Sequence, residues 1–301
     1  MSSGKKPKTD SDTSAADIWS KENILNAARS TGKPFEVEAA NQFLTAGWLP
    51  YLGTYYHDVT RDMAREIDIV ASKELRADGI HFRIRACASC RGFPPDHRPV
   101  AYYVSRKAHP TFIPPRLPCQ AFRFTFGWKD KVWDLRPDGT FHEEQAITSL
   151  DVYKINTKDG KEKLPIRSTG DGSMEGNRDS IYSALDSAIK AAIYWQQAEY
   201  SAHVKQQDAW GGRSSDAPPG RVLLYVPILV LSEDWIAIGV DKGQPSSVSE
   251  VPLGHMTVLY PFKGAEQPDA VTCIICSRQG LPQAINALGG LLQNAVDNAR
   301  G

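Results

Sequence analysis

Arg65-Glu-Ile-Asp-Ile-Val-Ala71 is followed, after Ala77-Asp-Gly79, by Ile80-His-Phe-Arg-Ile-Arg-Ala-Cys-Ala-Ser89. Glu66 to Ala71 and Ile80 to Cys87 both alternate polar with apolar side chains, the period-two signature of half-buried strands, and the Asp-Gly pair between them makes a turn. Upstream, the aromatic and Gly-punctuated stretch Trp48 to Tyr56 reads as another strand. Before it, Pro34 to Ala46 reads as a helix: Ser30 or Thr31 can cap it, Pro34 suits its first turn, and Gly47 ends it. Phe35, Ala39, Phe43 and Leu44 form its apolar stripe. A helix feeding three short strands is therefore the nucleus of the fold, and Pro99-Val-Ala-Tyr-Tyr-Val104 reads as a further strand.

Working outward, residues 105–177 read as an insertion with a Pro-rich connection, an aromatic strand Phe122-Arg-Phe-Thr-Phe126 and a hairpin at Pro137-Asp-Gly139. Arg178 to Gln207 is the longest helical pattern, with Ile181, Leu185, Ala188, Ile189, Ala192 and Trp195 at three- and four-residue spacings, and it is expected to lie across the sheet. A Gly/Ser/Pro linker loop at 211–220 leads to strands at 221–231, 235–240, 256–261 and 271–276. An amphipathic helix runs from about Leu281 to Val296. The expected class is α/β. Residues 1–17, rich in Lys, Ser, Thr and Asp, form a solvated tail that cannot repay the entropy of ordering, and residues 18–301 form one domain.

The composition narrows the function by exclusion. With 301 residues, 41% apolar and 23% charged, the chain can bury a sizeable core, and collagen-like, disordered and disulfide-scaffold classes are excluded. Thirty-five basic residues balance 35 acidic ones, so any polyanionic partner has to be met by a local patch. The longest apolar run, Val222 to Leu231, is about half the roughly 20 residues a spanning helix needs, and Pro227 interrupts it. No apolar signal core precedes residue 17. The expectation is a cytoplasmic protein with no membrane partner and reduced cysteines.

Two acids carry the chemistry. Glu36 falls in the first turn of the first helix, and Asp68 falls mid-strand between Ile67 and Ile69. If the two isoleucines share the buried face, Asp68 and Glu66 project from the other. A strand carboxylate beside a helix carboxylate suits a hard divalent cation such as Mg2+, which wants oxygen ligands.

Gly32-Lys-Pro-Phe-Glu-Val-Glu-Ala-Ala-Asn-Gln-Phe-Leu-Thr-Ala-Gly-Trp48, with Arg65 to Ala71, His81 to Ser89 and Arg98 to Ser105, resembles the opening of the restriction-endonuclease-like, or PD-(D/E)xK, nuclease superfamily. The resemblance covers roughly the first 105 residues. It implies a core of helix, three-stranded β-meander, long helix and further strands, and Mg2+-dependent phosphodiester hydrolysis in which the cation polarises the phosphoryl group and lowers the pKa of bound water. Glu36 and Asp68 match the family's acidic, metal-binding positions. Ala86 and Ala88 stand where the family carries its strand Glu and its water-activating Lys, with Cys87 between them facing the core. Two functions are missing, and one general acid–base contribution alone is worth about 10²–10⁴-fold in rate. The resemblance thus implies a DNA- or RNA-associated protein with impaired or lost hydrolysis. Should it cleave, the Ala86 carbonyl would supply a further ligand and a cation outside the motif would replace the Lys. The alternative is an interaction or scaffold subunit on an inactive nuclease fold, with a protein partner or a second copy as its ligand.

Arg83, Arg85, Arg91 and Arg98, with His81 and His97, form the densest local basic patch, suited to a phosphate backbone or, equally, to a solvated strand edge. Phe122, Phe124 and Phe126 share one strand face and read as core before they read as a base-stacking platform. Cys87-Ala-Ser-Cys90 and Cys273-Ile-Ile-Cys276 have the spacing of a four-thiolate zinc site, but Cys273 and Cys276 sit in an apolar strand that would place them on opposite faces, which disfavours zinc. The chain has no Gly-x-Ser-x-Gly elbow, no phosphate-binding Gly-Lys-Ser/Thr loop and no His-Glu-x-x-His helix.

Overall fold

The computed structural model describes residues 20–77, 79–93, 97–105, 145–154, 156–158, 161–163, 173–209, 220–241, 244–260 and 269–300. Residues 1–34 and 35–301 are separate compact units. The first contains α1 (Lys21–Ser30), capped by Ser20, whose hydroxyl accepts the Asn23 amide at 3.2 Å. The expected tail at 1–17, the Phe122–Phe126 strand and the Pro137 hairpin lie outside the described residues.

The second unit takes in α2 (Lys33–Thr45) from Phe35 onward and the meander β1 (Leu49–Asp58), β2 (Met63–Ala77) and β3 (Ile80–Arg91). Adjacent strands of the meander are antiparallel. α3 (Ser173–Ala209) then crosses to β8 (Gly220–Leu231), which runs parallel to β3 in an unbroken register from Ile80↔Gly220 to Arg91↔Leu231. Between β3 and α3 lie β4 (His97–Ser105), β5 (Gln145–Lys154) and a small ribbon of β6 (Asn156–Lys158) and β7 (Lys161–Lys163). After β8 come β9 (Trp235–Asp241), β10 (Gln244–Val251), β11 (Leu253–Tyr260), β12 (Asp269–Ser277) and α4 (Leu281–Arg300). Apart from the ribbon, the strands form one mixed sheet in the order β1-β2-β3-β8-β12-β11-β5-β4-β9-β10. The protein is mixed α/β.

Two placements differ from the sequence expectation. The segment read as an insertion contributes β5 to the main sheet, parallel to β11 and antiparallel to β4. The strand at Pro99–Val104, aligned above with the continuation of the third strand, leaves the meander and pairs with β5 and β9.

The helices sort onto the two faces by their stripes. Leu281, Ala284, Ile285, Leu288, Leu292 and Ala295 of α4 recur at helical spacing and are buried with Phe35, Ala39 and Phe43 of α2 against Ile84, Ala86, Ala88 and Cys90 of β3. On the opposite face Ile181, Leu185 and Ile189 of α3 cover Leu229, Leu231 and Cys273, and Ala188, Ala191 and Ala192 cover Cys87, Leu223 and Tyr225. β3 and β8 are covered on both sides, which is why their apolar runs are nearly continuous. Leu44, expected in the buried stripe of α2, is 57% exposed, because Phe43 takes the inward position and packs edge-on against Trp48 at 5.6 Å. α4 approaches so closely that a Cβ on Gly280 would stand 1.8 Å from the Pro252 carbonyl oxygen, so only glycine fits there. Among the described residues, no helix is long and apolar enough to cross a membrane.

Candidate functional site

β2 and β3 stop pairing at the candidate acid. Their ladder runs from Ala77↔Ile80 to Ile69↔Ala88 and ends there, while β3 continues along β8. One oxygen of Asp68 fills the gap: Oδ2 accepts the Cys90 amide at 2.7 Å and the Ser89 hydroxyl at 3.1 Å. Asp68 also marks a break in side-chain alternation. Ile69 is buried on the α2/α4 face and Ile67 on the α3 face, so the two isoleucines do not share one side as expected. The break lies opposite Gly53, the step between the pairs Leu52↔Ile69 and Thr54↔Ile67, and Gly53 has a φ of +61°. Glu66 is carried toward that glycine: a Cβ there would meet its Oε1 at 3.0 Å.

Glu36 is buried in α2 beside Phe35 and Ala39, which share a core cluster with Cys90. Burial pushes the Cys90 thiol well above its ordinary value, the Asp68 and Glu36 carboxylates and the Cys276 thiol push it further, and Arg91 opposes them. Both acids therefore act on one buried sulfur at the end of the β2–β3 ladder. The β3 residues beside Asp68 are Ser89 and Cys90. Ala88 pairs with Ile69, and Ala86 lies farther along, opposite Ala71, both fully buried. Sequence reasoning did not set Ser89 and Cys90 beside Asp68, because strand counting without the ladder register could not place them.

The oxygens available to Mg2+ are thin. One Asp68 oxygen already holds two donors, and among the described residues no group of three or more His, Cys, Asp or Glu is arranged to hold a metal ion. The four cysteines weighed for zinc are free and buried, and they divide between faces: Cys90 and Cys276 on the α2/α4 side, Cys87 and Cys273 on the α3 side. Burial pushes all four thiols up, Cys87 to about 12, so without a metal they stay protonated.

The basic patch divides too. Arg83 faces α3, with Nε on Glu74 at 2.5 Å and Nη1 on both Glu199 oxygens at 3.2 Å. Arg85, beside it, pairs with Glu199 and stacks over Trp195 at 4.8 Å. His81 meets Glu74 at 3.0 Å. The Glu74 carboxyl is held below its ordinary value, since His81 and Arg83 outweigh the burial that would raise it. These cations serve the helix–sheet interface. Arg91 and Arg98 lie at the outer end of the patch: Arg91 Nη1 donates to the Cys90 carbonyl at 3.1 Å, and half-exposed Arg98 stands 3.7 Å from Glu233.

No protein family, no curated protein and no solved structure matches this chain.

A second polar cluster escaped the sequence reading. Asp58, its side chain fully buried at the end of β1, accepts the Thr60 amide at 2.9 Å, the Thr60 hydroxyl at 2.6 Å and Lys190 Nζ at 3.0 Å, with Arg65 at 3.5 Å. Lys190 also bonds Asp186 at 2.9 Å. Burial alone would raise the Asp58 pKa, but the hydrogen bonds from Thr60 and Lys190 hold it well below the carboxylate range. The partners are 132 residues apart, and no local spacing announces them.

Proposed function

We propose that the chain is a nucleic-acid-associated protein on a restriction-endonuclease-like core whose Mg2+-dependent phosphodiester hydrolysis is impaired or lost. The observation that carries this reading is the Asp68 carboxylate accepting the Cys90 amide where the β2–β3 ladder ends, with buried Glu36 on the helix whose Phe35 and Ala39 share a core cluster with Cys90. The order of elements supports it: a helix, a three-stranded meander, a long crossover helix, and a strand parallel to the third. The loss of hydrolysis follows from the side chains beside Asp68. Serine and cysteine offer neither a third carboxylate nor an amine to activate water, and the neighbouring guanidinium groups hold their protons near neutrality.

Digestion of single- and double-stranded DNA and RNA with Mg2+ and with Mn2+ tests the catalytic half. Little or no cleavage is expected, and any that occurs should vanish in Asp68→Ala. Robust cleavage by that variant would exclude this site as its source. Binding tests the other half: affinity should fall as salt rises, since phosphate contacts release counterions.

The second reading, a scaffold subunit touching no nucleic acid, is favoured by one observation. Arg83 and Arg85, half of the arginine patch, are engaged by Glu74 and Glu199. Absence of binding at low salt selects it.

A further inference from the structure

β3, β8 and β12 run parallel to one another and end on one rim. Leu231 of β8 pairs with Arg91 of β3 on one side and with Ser277 of β12 on the other, so the three strands finish side by side. The crevice beyond the carboxyl ends of parallel strands is where open α/β sheets bind their ligands. Asp68 belongs to this rim, because its carboxylate holds the amide of Cys90, the residue before Arg91.

The first residue past β12 is Arg278, and its backbone is pinned on both sides. Its amide donates to the Leu231 carbonyl at 2.8 Å, and its carbonyl accepts Gln42 Nε2 of α2 at 3.4 Å. From that fixed start the side chain turns onto α2. Its guanidinium lies over the Phe35 ring at 5.2 Å, and its Nε stands 3.3 Å from a Glu38 oxygen. Phe35 and Glu38 fall on either side of Glu36 in the sequence, so Arg278 brings a cation to the turn that carries one candidate acid. It does so on the α2/α4 face, whereas Arg83 and Arg85 are engaged by Glu199 on the other. The contact with Glu38 is a loose one. The two side chains are 44% and 45% exposed, and a pair this open is worth about 0–1 kcal/mol, less than a guanidinium gains when it takes a phosphate bidentately.

We infer that Arg278 is a positioning residue for a nucleic-acid backbone, holding a phosphate to one side of Asp68 and so fixing how the strand lies across the rim. β2 and β12 are three strand steps apart, roughly 14 Å, which places the held phosphate beside the Asp68 carboxylate rather than at it. The inference rests on the nucleic-acid reading of the candidate site and adds the residue that orients the ligand there.

Binding of a short fluorescent DNA duplex, of its single strand and of an RNA of the same sequence, measured on the full chain across a range of salt, tests it. Arg278→Gln should weaken binding about tenfold and reduce the slope of log affinity against log salt by about one, while Arg278→Lys keeps the slope. Arg76→Gln removes the same charge from an exposed position at the far end of β2 and should change neither. Glu38→Gln releases the guanidinium, so it should raise affinity severalfold in the wild-type background and much less beside Arg278→Gln, a coupling that a merely structural arginine would not show. Wild-type binding with an unchanged slope in Arg278→Gln, or an equal gain from Glu38→Gln in both backgrounds, would overturn the inference and leave the nucleic-acid reading standing. A wild-type protein that binds none of the three probes at low salt would overturn both.

Discussion

Asp68 ties β3 to β2 at the last point where they touch, and this role is separable from chemistry. Its Oδ2 is the acceptor for an amide and a hydroxyl, both on buried residues. Asp68→Ala leaves the Cys90 N–H without that acceptor, and a stranded buried donor costs about 1–3 kcal/mol. Asp68→Asn keeps an oxygen at the same place and should lose less than half as much. Urea unfolding of the three proteins checks this: equal losses in the two variants would mean that the charge, not the hydrogen bonds, holds the strands. The comparison also protects the digestion assay, because loss of cleavage in Asp68→Ala counts for a catalytic Asp68 only if that variant is folded.

At the scale of elements, α3 is fastened to the meander by two polar contacts of different kinds. Near its middle, Lys190 reaches fully buried Asp58; one turn beyond Trp195, Glu199 takes Arg83 and Arg85 from β3. Removing one partner of a buried ion pair costs roughly 3–5 kcal/mol, and since Thr60 and Arg65 remain on Asp58, Lys190→Met should fall near the lower end. The pH dependence has a definite sign. The folded Asp58 carboxyl lies well below its ordinary value of 3.8, so its stabilisation is present above about pH 4 and is lost as the pH falls below that. Wild type should therefore exceed Asp58→Asn in stability at pH 7, and the gap should close toward pH 2. A gap that is constant across that range would show that the carboxylate contributes nothing through its charge.

Local pattern made much of the meander readable, since the alternation from Ile80 to Cys87 and the Asp-Gly turn are properties of neighbouring residues. The α4 stripe was legible for the same reason. What local pattern cannot carry is register between distant strands: β4 pairs with β9, more than 130 residues away, and polar β10, Gln-Pro-Ser-Ser-Val-Ser-Glu-Val, has no apolar alternation to betray it. The candidate site shares that limit. Glu36 and Asp68 were visible as residue types in the right elements, but their β3 neighbours depended on where a ladder ends, and the break in alternation at Asp68 depends on a positive-φ glycine in the next strand. The arginine patch shows the cost most clearly, because a run of cations in sequence says nothing about which acids fold over it.

That patch yields a prediction about the whole molecule, because stability and affinity should separate along it. Arg85 is mostly buried between Glu199 and Trp195, beside Tyr225 on the paired strand. Burial raises the Tyr225 hydroxyl, Glu199 raises it further, and Arg85 and Arg83 oppose them. Arg85→Ala removes one of the two arginines paired with mostly buried Glu199, so the thermal midpoint should fall by several degrees while nucleic-acid affinity, measured on folded protein, changes less than about twofold. Arg98 pairs with exposed Glu233 at 3.7 Å, and exposed pairs of this kind are worth about 0–1 kcal/mol, so Arg98→Ala should leave the midpoint within a degree or two. If the outer end of the patch holds phosphate, the same substitution should reduce the slope of log affinity against log salt by about one. A loss of affinity in Arg85→Ala at unchanged stability would reverse the assignment, placing the phosphate path on the α3 face and returning Arg83 and Arg85 to the binding surface.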